Sequence, residues 1–150
     1  MFVDIIRFIR MLKKLFGTKT KTHDEFPYLQ TYENKDKYFV RTATWDLLNK
    51  KEIYVVKKQD NQLSTHTMDF WLQEIFLDAN GQITVAELIE IACKQFRDSN
   101  MKVPANVDEY LIGELDRLVN ELNIVEFKDQ KTELPDLFKQ PMSKQLKSPN

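Results

Sequence analysis

Three stretches between Thr67 and Leu122 repeat apolar residues at intervals of three and four, and no other feature limits the chain's fold so tightly. Residues 67–77 set Met68, Trp71, Leu72, Ile75 and Phe76 on one face of a helix. Residues 85–96 do the same with Val85, Leu88, Ile89, Ala92, Cys93 and Phe96, and residues 107–122 with Val107, Leu111, Leu115, Leu118 and Leu122. A helix turns once in about 3.6 residues, so this spacing lays an apolar stripe along one side that has to be buried. Three such stripes in succession call for a shared core. The chain can supply it: 42% of its 150 residues are hydrophobic, which suits one domain. Only three Gly and five Pro agree with a helix-rich, loop-poor fold.

The connection between the first two helices, "FLDANGQITVAE" at 76–87, admits two readings. Laid on a calcium-binding EF-hand loop, Asp78, Asn80, Gly81, Ile83 and Glu87 fall at the third, fifth, sixth, eighth and twelfth positions. The first position, which needs an oxygen ligand, is Phe76, and no second loop exists to pair with this one. The alternative uses the same letters as structure. Asn80-Gly81 is a turn dipeptide, and Thr84 followed by Glu87 is a capping box opening the second helix. The second reading is favoured. No metal and no cofactor are expected.

Upstream, "YFVRTAT" (38–44) and "EIYVVKK" (52–58) are rich in aromatic and β-branched residues and are expected to pair as antiparallel strands. Downstream, "NIVEF" and "TELP" read as a short hairpin. Residues 1–17 are expected to form a basic amphipathic helix with Ile5, Ile9, Leu12 and Phe16 along one side. The division expected is therefore 1–17 helix, 18–37 linker, 38–138 folded domain and 139–150 disordered tail. Strand pair, three helices and a C-terminal wing hairpin is the order of a winged helix-turn-helix. The fold class expected is thus α+β, dominated by helix, with an extra N-terminal amphipathic helix.

Residues 62–127 resemble the PqqD family, small winged-helix proteins of ribosomal peptide maturation. The resemblance lies in an apolar first helix ending at an acidic Gly turn (Asp78 to Gly81), in "TVAELI", in the acid-opened third helix and in the closing "NIVEF". It implies a non-catalytic module that takes a peptide as an added strand at a sheet edge beside the third helix. The physics stands apart from the family, since an unpaired edge presents a row of N–H and C=O groups. The candidate edge is "EIYVVKK", with Tyr54 and Val56 on one face. Tyr110, Glu114 and Arg117 lie off the inner stripe of the third helix and complete the expected peptide-binding set.

Other functions fit the residues less well. A DNA-reading helix should be neutral or basic, whereas the third helix sets Asp108, Glu109, Glu114, Asp116 and Glu121 against Arg117. A DNA-binding regulator is the alternative kept, with specific nucleic-acid binding not expected. His23 and His66 are the only histidines, and no phosphate loop, nucleophile elbow or metal-spaced histidine pair occurs, so no enzyme is expected. The lone Cys93 excludes an intramolecular disulfide and fits a reducing, cytoplasmic setting. Residues 1–22 carry six Lys or Arg against one acid, and the other 128 carry 16 against 22. That basic arm suits dimerisation through residues 2–16, a protein partner or a membrane surface.

Overall fold

The computed structural model describes residues 26–146. The basic helix expected at 1–17 and the linker as far as residue 25 lie outside them. The architecture is mixed α+β, with helices and two small three-stranded antiparallel sheets.

The three striped segments are helices. We label them α2 (Phe70–Asp78), α3 (Val85–Asp98) and α4 (Val107–Asp116). The last runs on into a π turn, Arg117–Glu121. A short helix α1, Pro27–Thr31, precedes all of them. The stripes face inward as their spacing requires: Trp71, Ile75, Phe76, Val85, Ile89, Phe96, Leu111, Leu115 and Leu118 are all buried in one cluster. Asp69 caps α2 by accepting from Leu72 N–H, and Thr84 caps α3 by accepting from Glu87 N–H at 3.2 Å.

The strands depart from expectation. "YFVRTAT" does not pair with "EIYVVKK". It divides at Thr42-Ala43 into β1 (Tyr38–Arg41) and β2 (Thr44–Leu47), which enter different sheets. β1 lies between β5 (Asn80–Thr84) and β6 (Val125–Lys128), antiparallel to both. β2 pairs with β3 (Ile53–Gln59), which pairs on its other side with β4 (Gln62–Thr67). The break lets Phe39 enter the core from the first sheet and Trp45 from the second, while Val40 is buried on the first sheet's other face.

The wing hairpin is likewise not formed. β6 takes β1 as its partner, and residues 130–133 turn back along β5, where Thr132 N–H donates to Gly81 C=O at 2.9 Å. Asn80-Gly81 is therefore the start of a strand, not a free turn. Nor is the polar tail disordered over 139–146. It belongs to α5 (Asp136–Lys139) and α6 (Met142–Leu146), which pack on β2. Polar side chains of the body hold this segment by its backbone. Arg41 Nε and Trp45 Nε1 both donate to Phe138 C=O at 2.9 Å, and Ser143 N–H donates to Asp46 at 3.1 Å. Residues 26–37, placed in the linker, pack on α4: Leu29 N–H donates to buried Asp108 at 3.1 Å, and Tyr32 hydroxyl donates to Asp116.

Candidate functional site

The proposed edge on "EIYVVKK" is not an edge. β3 is the central strand of its sheet, with Tyr54 opposite Asp46 on one side and Thr67 on the other, and Val56 opposite Thr44 and Thr65. Its backbone groups are thus engaged with the chain's own strands. Side chains alternate along a strand, and Ile53 and Val55 are in the core, so half-buried Tyr54 and Val56 lie on the far face of the sheet. A sequence run of alternating apolar residues identifies a strand; it does not say whether the strand lies at the border or in the middle.

The other three candidates stay together, Tyr110 and Glu114 on α4 and Arg117 at the start of the π turn, at spacings of four and three. Tyr110 packs edge-on against Trp71, with ring centroids 6.2 Å apart. Glu114 is half-buried, and one of its carboxyl oxygens is buried without a hydrogen-bond partner among the described residues. Burial holds its pKa above the ordinary carboxylate value, helped by the nearby Asp69 charge and opposed by Arg117. Burial also raises the Tyr110 hydroxyl. Arg117 forms an exposed 3.4 Å ion pair with Glu121. Tyr54 and Val56 do not join this group.

A sheet border next to the third helix does exist, at β6. β6 is the last strand of its sheet, and Thr42 N–H donates to Ile124 C=O across from it at 2.9 Å. In an antiparallel pair the bonded residues alternate, so 124, 126 and 128 turn their backbone to β1, and Val125 and Phe127 turn theirs to the open side. Against that side lies a groove of about 290 Å³ lined by Val119, Asn123, Val125, Glu126 and Phe127. The π turn supplies Val119. Asn123, at φ +54°, reverses the chain from helix to strand, a backbone angle that Asn tolerates better than most residues. The sequence signal for this site was "NIVEF" as a strand; what it lacked was which strand would flank it.

The loop with EF-hand spacing is built for other ends. Phe76 is in the core, Asn80 Oδ1 accepts from Gln82 N–H at 3.0 Å, and Thr84 is the cap of α3. Asp78 lies at the end of α2 near Arg41. Burial raises its pKa to about 6, with Arg41 acting against that rise. Among the described residues no group of three or more His, Cys, Asp or Glu is arranged to hold a metal ion, and no helix is long and apolar enough to cross a membrane. His66 Nε2 lies 3.2 Å from Ser64 Oγ on exposed β4, where the same hydroxyl also approaches Lys57 C=O at 3.4 Å. That pattern orders a strand surface.

No family model matches the chain, and neither a curated protein nor a solved structure matches it. The likeness to PqqD-like proteins therefore rests on the residues quoted for it alone.

Proposed function

We propose that this protein is a non-catalytic recognition module that takes an extended segment of a partner polypeptide as an added strand along the open side of β6. One observation carries the reading. Outward backbone groups of Val125 and Phe127 lie beside a groove walled by both apolar (Val119, Val125, Phe127) and polar (Asn123, Glu126) residues, next to the π turn that follows α4. Backbone pairing would supply the affinity, and the groove would select a side chain of the incoming strand. Helix, β5, helix, helix, β6 is then a winged-helix order in which β1 takes the place of the wing's returning strand. Nucleic acid is a poorer ligand for this frame. Glu109 on α4 and Glu121 in the π turn are exposed, while Asp108 and Asp116 hold α1 and the following Tyr32 against α4.

The test is a selection of peptides from a random displayed library against the full chain, followed by amide spectra of the isotope-labelled protein. Selected peptides should shift and protect the amides of Val125 and Phe127, and Val119→Arg, which fills the groove, should abolish binding. Peptides whose shifts fall elsewhere, or binding that survives Val119→Arg, would overturn the assignment. So would a library that yields no binder.

A further inference from the structure

We propose that β4 is a self-pairing edge through which two copies of the chain join their β2–β3–β4 sheets into one continuous antiparallel sheet. β4 is the outer strand of its sheet and carries the sequence Gln62-Leu63-Ser64-Thr65-His66-Thr67. All of these but His66 are exposed, and Leu63 is 73% exposed. Its pairing with β3 runs unbroken from Tyr54–Thr67 to Gln59–Gln62. In a chain with 30% charged residues, this strand has no Lys, Arg, Asp or Glu, no Pro and no bulge. Those are the devices by which natural sheet edges resist association, and β4 has none of them.

The geometry chooses the partner. Asp60 and Asn61, at φ +50° and +64°, form a two-residue hairpin turn, so Gln59 and Gln62 are the closing bonded pair. Bonded positions alternate from there. Gln62, Ser64 and His66 turn their backbone to β3, and Leu63, Thr65 and Thr67 turn theirs outward. A second copy related by a two-fold axis normal to the sheet runs antiparallel and keeps the same face. Centring that axis on Thr65 sets Thr65 against its own copy and Leu63 against Thr67 of the second copy. Every outward N–H then meets an outward C=O. On the opposite face Ser64 meets His66 of the second copy. The facing side chains are hydroxyl, imidazole and aliphatic, with no charge against charge, and β-branched pairs of this kind favour sheet formation.

The arrangement also closes. At the other border of the sheet, Asp46 Oδ1 takes the Leu47 N–H at 2.8 Å, and α6 is docked on Asp46 through Ser143. Assembly by this route therefore ends at two copies, not in an open array.

Sedimentation velocity of the full chain across the micromolar range tests the proposal, with two variants. Thr65→Pro removes an outward N–H and leaves the β3 ladder bonds in place. Thr65→Lys sets two ammonium groups face to face at the axis. The native chain should sediment as a concentration-dependent dimer, and each variant should raise the dimer dissociation constant at least about tenfold with the melting temperature of the monomer unchanged. A native chain that stays monomeric, a Thr65→Lys variant that dimerises as well as the native chain, or open-ended oligomers would each overturn it. None of these outcomes bears on peptide binding at β6, which reads out separately.

Discussion

Arg41 Nε and the carbonyl oxygen of Phe138 lie 2.9 Å apart across 97 positions of sequence, and this contact ties the C-terminal segment to the body. The same guanidinium donates to Leu77 C=O at 2.8 Å and to Lys139 C=O at 3.4 Å. It also approaches the rings of Trp45 and Phe76 at 5.8 and 5.9 Å from their centroids. With only 6% of Arg41 exposed, burial lowers its pKa to about 10, still high enough to keep it charged at neutral pH. A buried cation of this kind is stable only while its donors are occupied.

Arg41→Met keeps the aliphatic stem and removes the fork, taking the Arg41 donor from Leu77 C=O and Lys139 C=O and leaving Phe138 C=O with Trp45 Nε1 alone. Hydrogen bonds to a charged group are worth more than neutral ones, so the loss should be about 3 kcal/mol by urea denaturation. Arg41→Lys should recover only part of it, because one ammonium cannot span three divergent carbonyls. In both variants trypsin should cut at Lys139 and Lys144 before it cuts the core. Cleavage no faster than in the native protein would mean that the segment is held by something other than Arg41.

Gly81 and Gly113 should respond in opposite directions to the same change. Gly81 has φ +79°, and a Cβ there would lie 2.0 Å from Thr132 C=O, whose residue pairs back onto this strand. Gly81→Ala therefore combines an unfavourable backbone angle with a clash against backbone, and should cost about 3 kcal/mol or more. Gly113 lies within α4 with nothing inside 4 Å of a Cβ. Gly113→Ala should stabilise by about 0.5–1 kcal/mol, the helix-propensity difference. Paired urea melts check both signs.

The helices were legible because burial is written into their spacing: every inward position of α3, from Val85 to Phe96, is buried as read. Thr84 was legible as a cap because its chemistry is local. Strand partners were not, since alternation in "YFVRTAT" specifies a pleated run without saying that Thr42-Ala43 moves it from one sheet to another. β4 was missed because "QLSTHT" is polar, and β5 because Asn-Gly ordinarily marks a turn. The ordering of 136–146 depends on carbonyl oxygens held by Arg41 and Trp45, and a backbone acceptor leaves no trace in hydropathy. The same reason hid the open side of β6. An edge is defined by what fails to pair with it, and that is a property of the whole topology.

Gln73 should be among the least replaceable polar residues. Only 3% exposed on α2, its Oε1 accepts from Ile53 N–H at 2.9 Å and its Nε2 donates to Lys51 C=O at 2.8 Å. It thus satisfies both backbone groups where the chain enters β3. Gln73→Leu matches the volume and leaves a buried donor and acceptor unpaired, for a loss of about 2–3 kcal/mol. Gln73→Glu retains the bond to Ile53 and loses the other, so it should destabilise less at low pH, where the carboxyl can donate, than at neutral pH. A Leu variant as stable as the native protein would show that water replaces the amide.

Asp78 should make the protein less stable as pH rises from about 4 to about 7. Its carboxyl titrates near 3.8 when unfolded and near 6 when folded, because burial disfavours the charge at the end of α2 more than Arg41 rescues it. Between those values the folded state holds the extra proton, so stability falls with rising pH. The favourable contribution is complete below about pH 4 and lost as pH passes through 6. Glu114, raised by burial, acts in the same direction. Asp78→Asn fixes the uncharged shape. It should match the native protein near pH 4 and exceed it by roughly 1–3 kcal/mol at pH 8, the size of a two-unit shift reduced for residual solvent. Urea melts of both proteins across that range provide the measurement. A gap that stays constant with pH, or a native protein more stable than the Asn variant at pH 8, would mean that the Asp78 carboxylate is ionised in the folded state and held by Arg41.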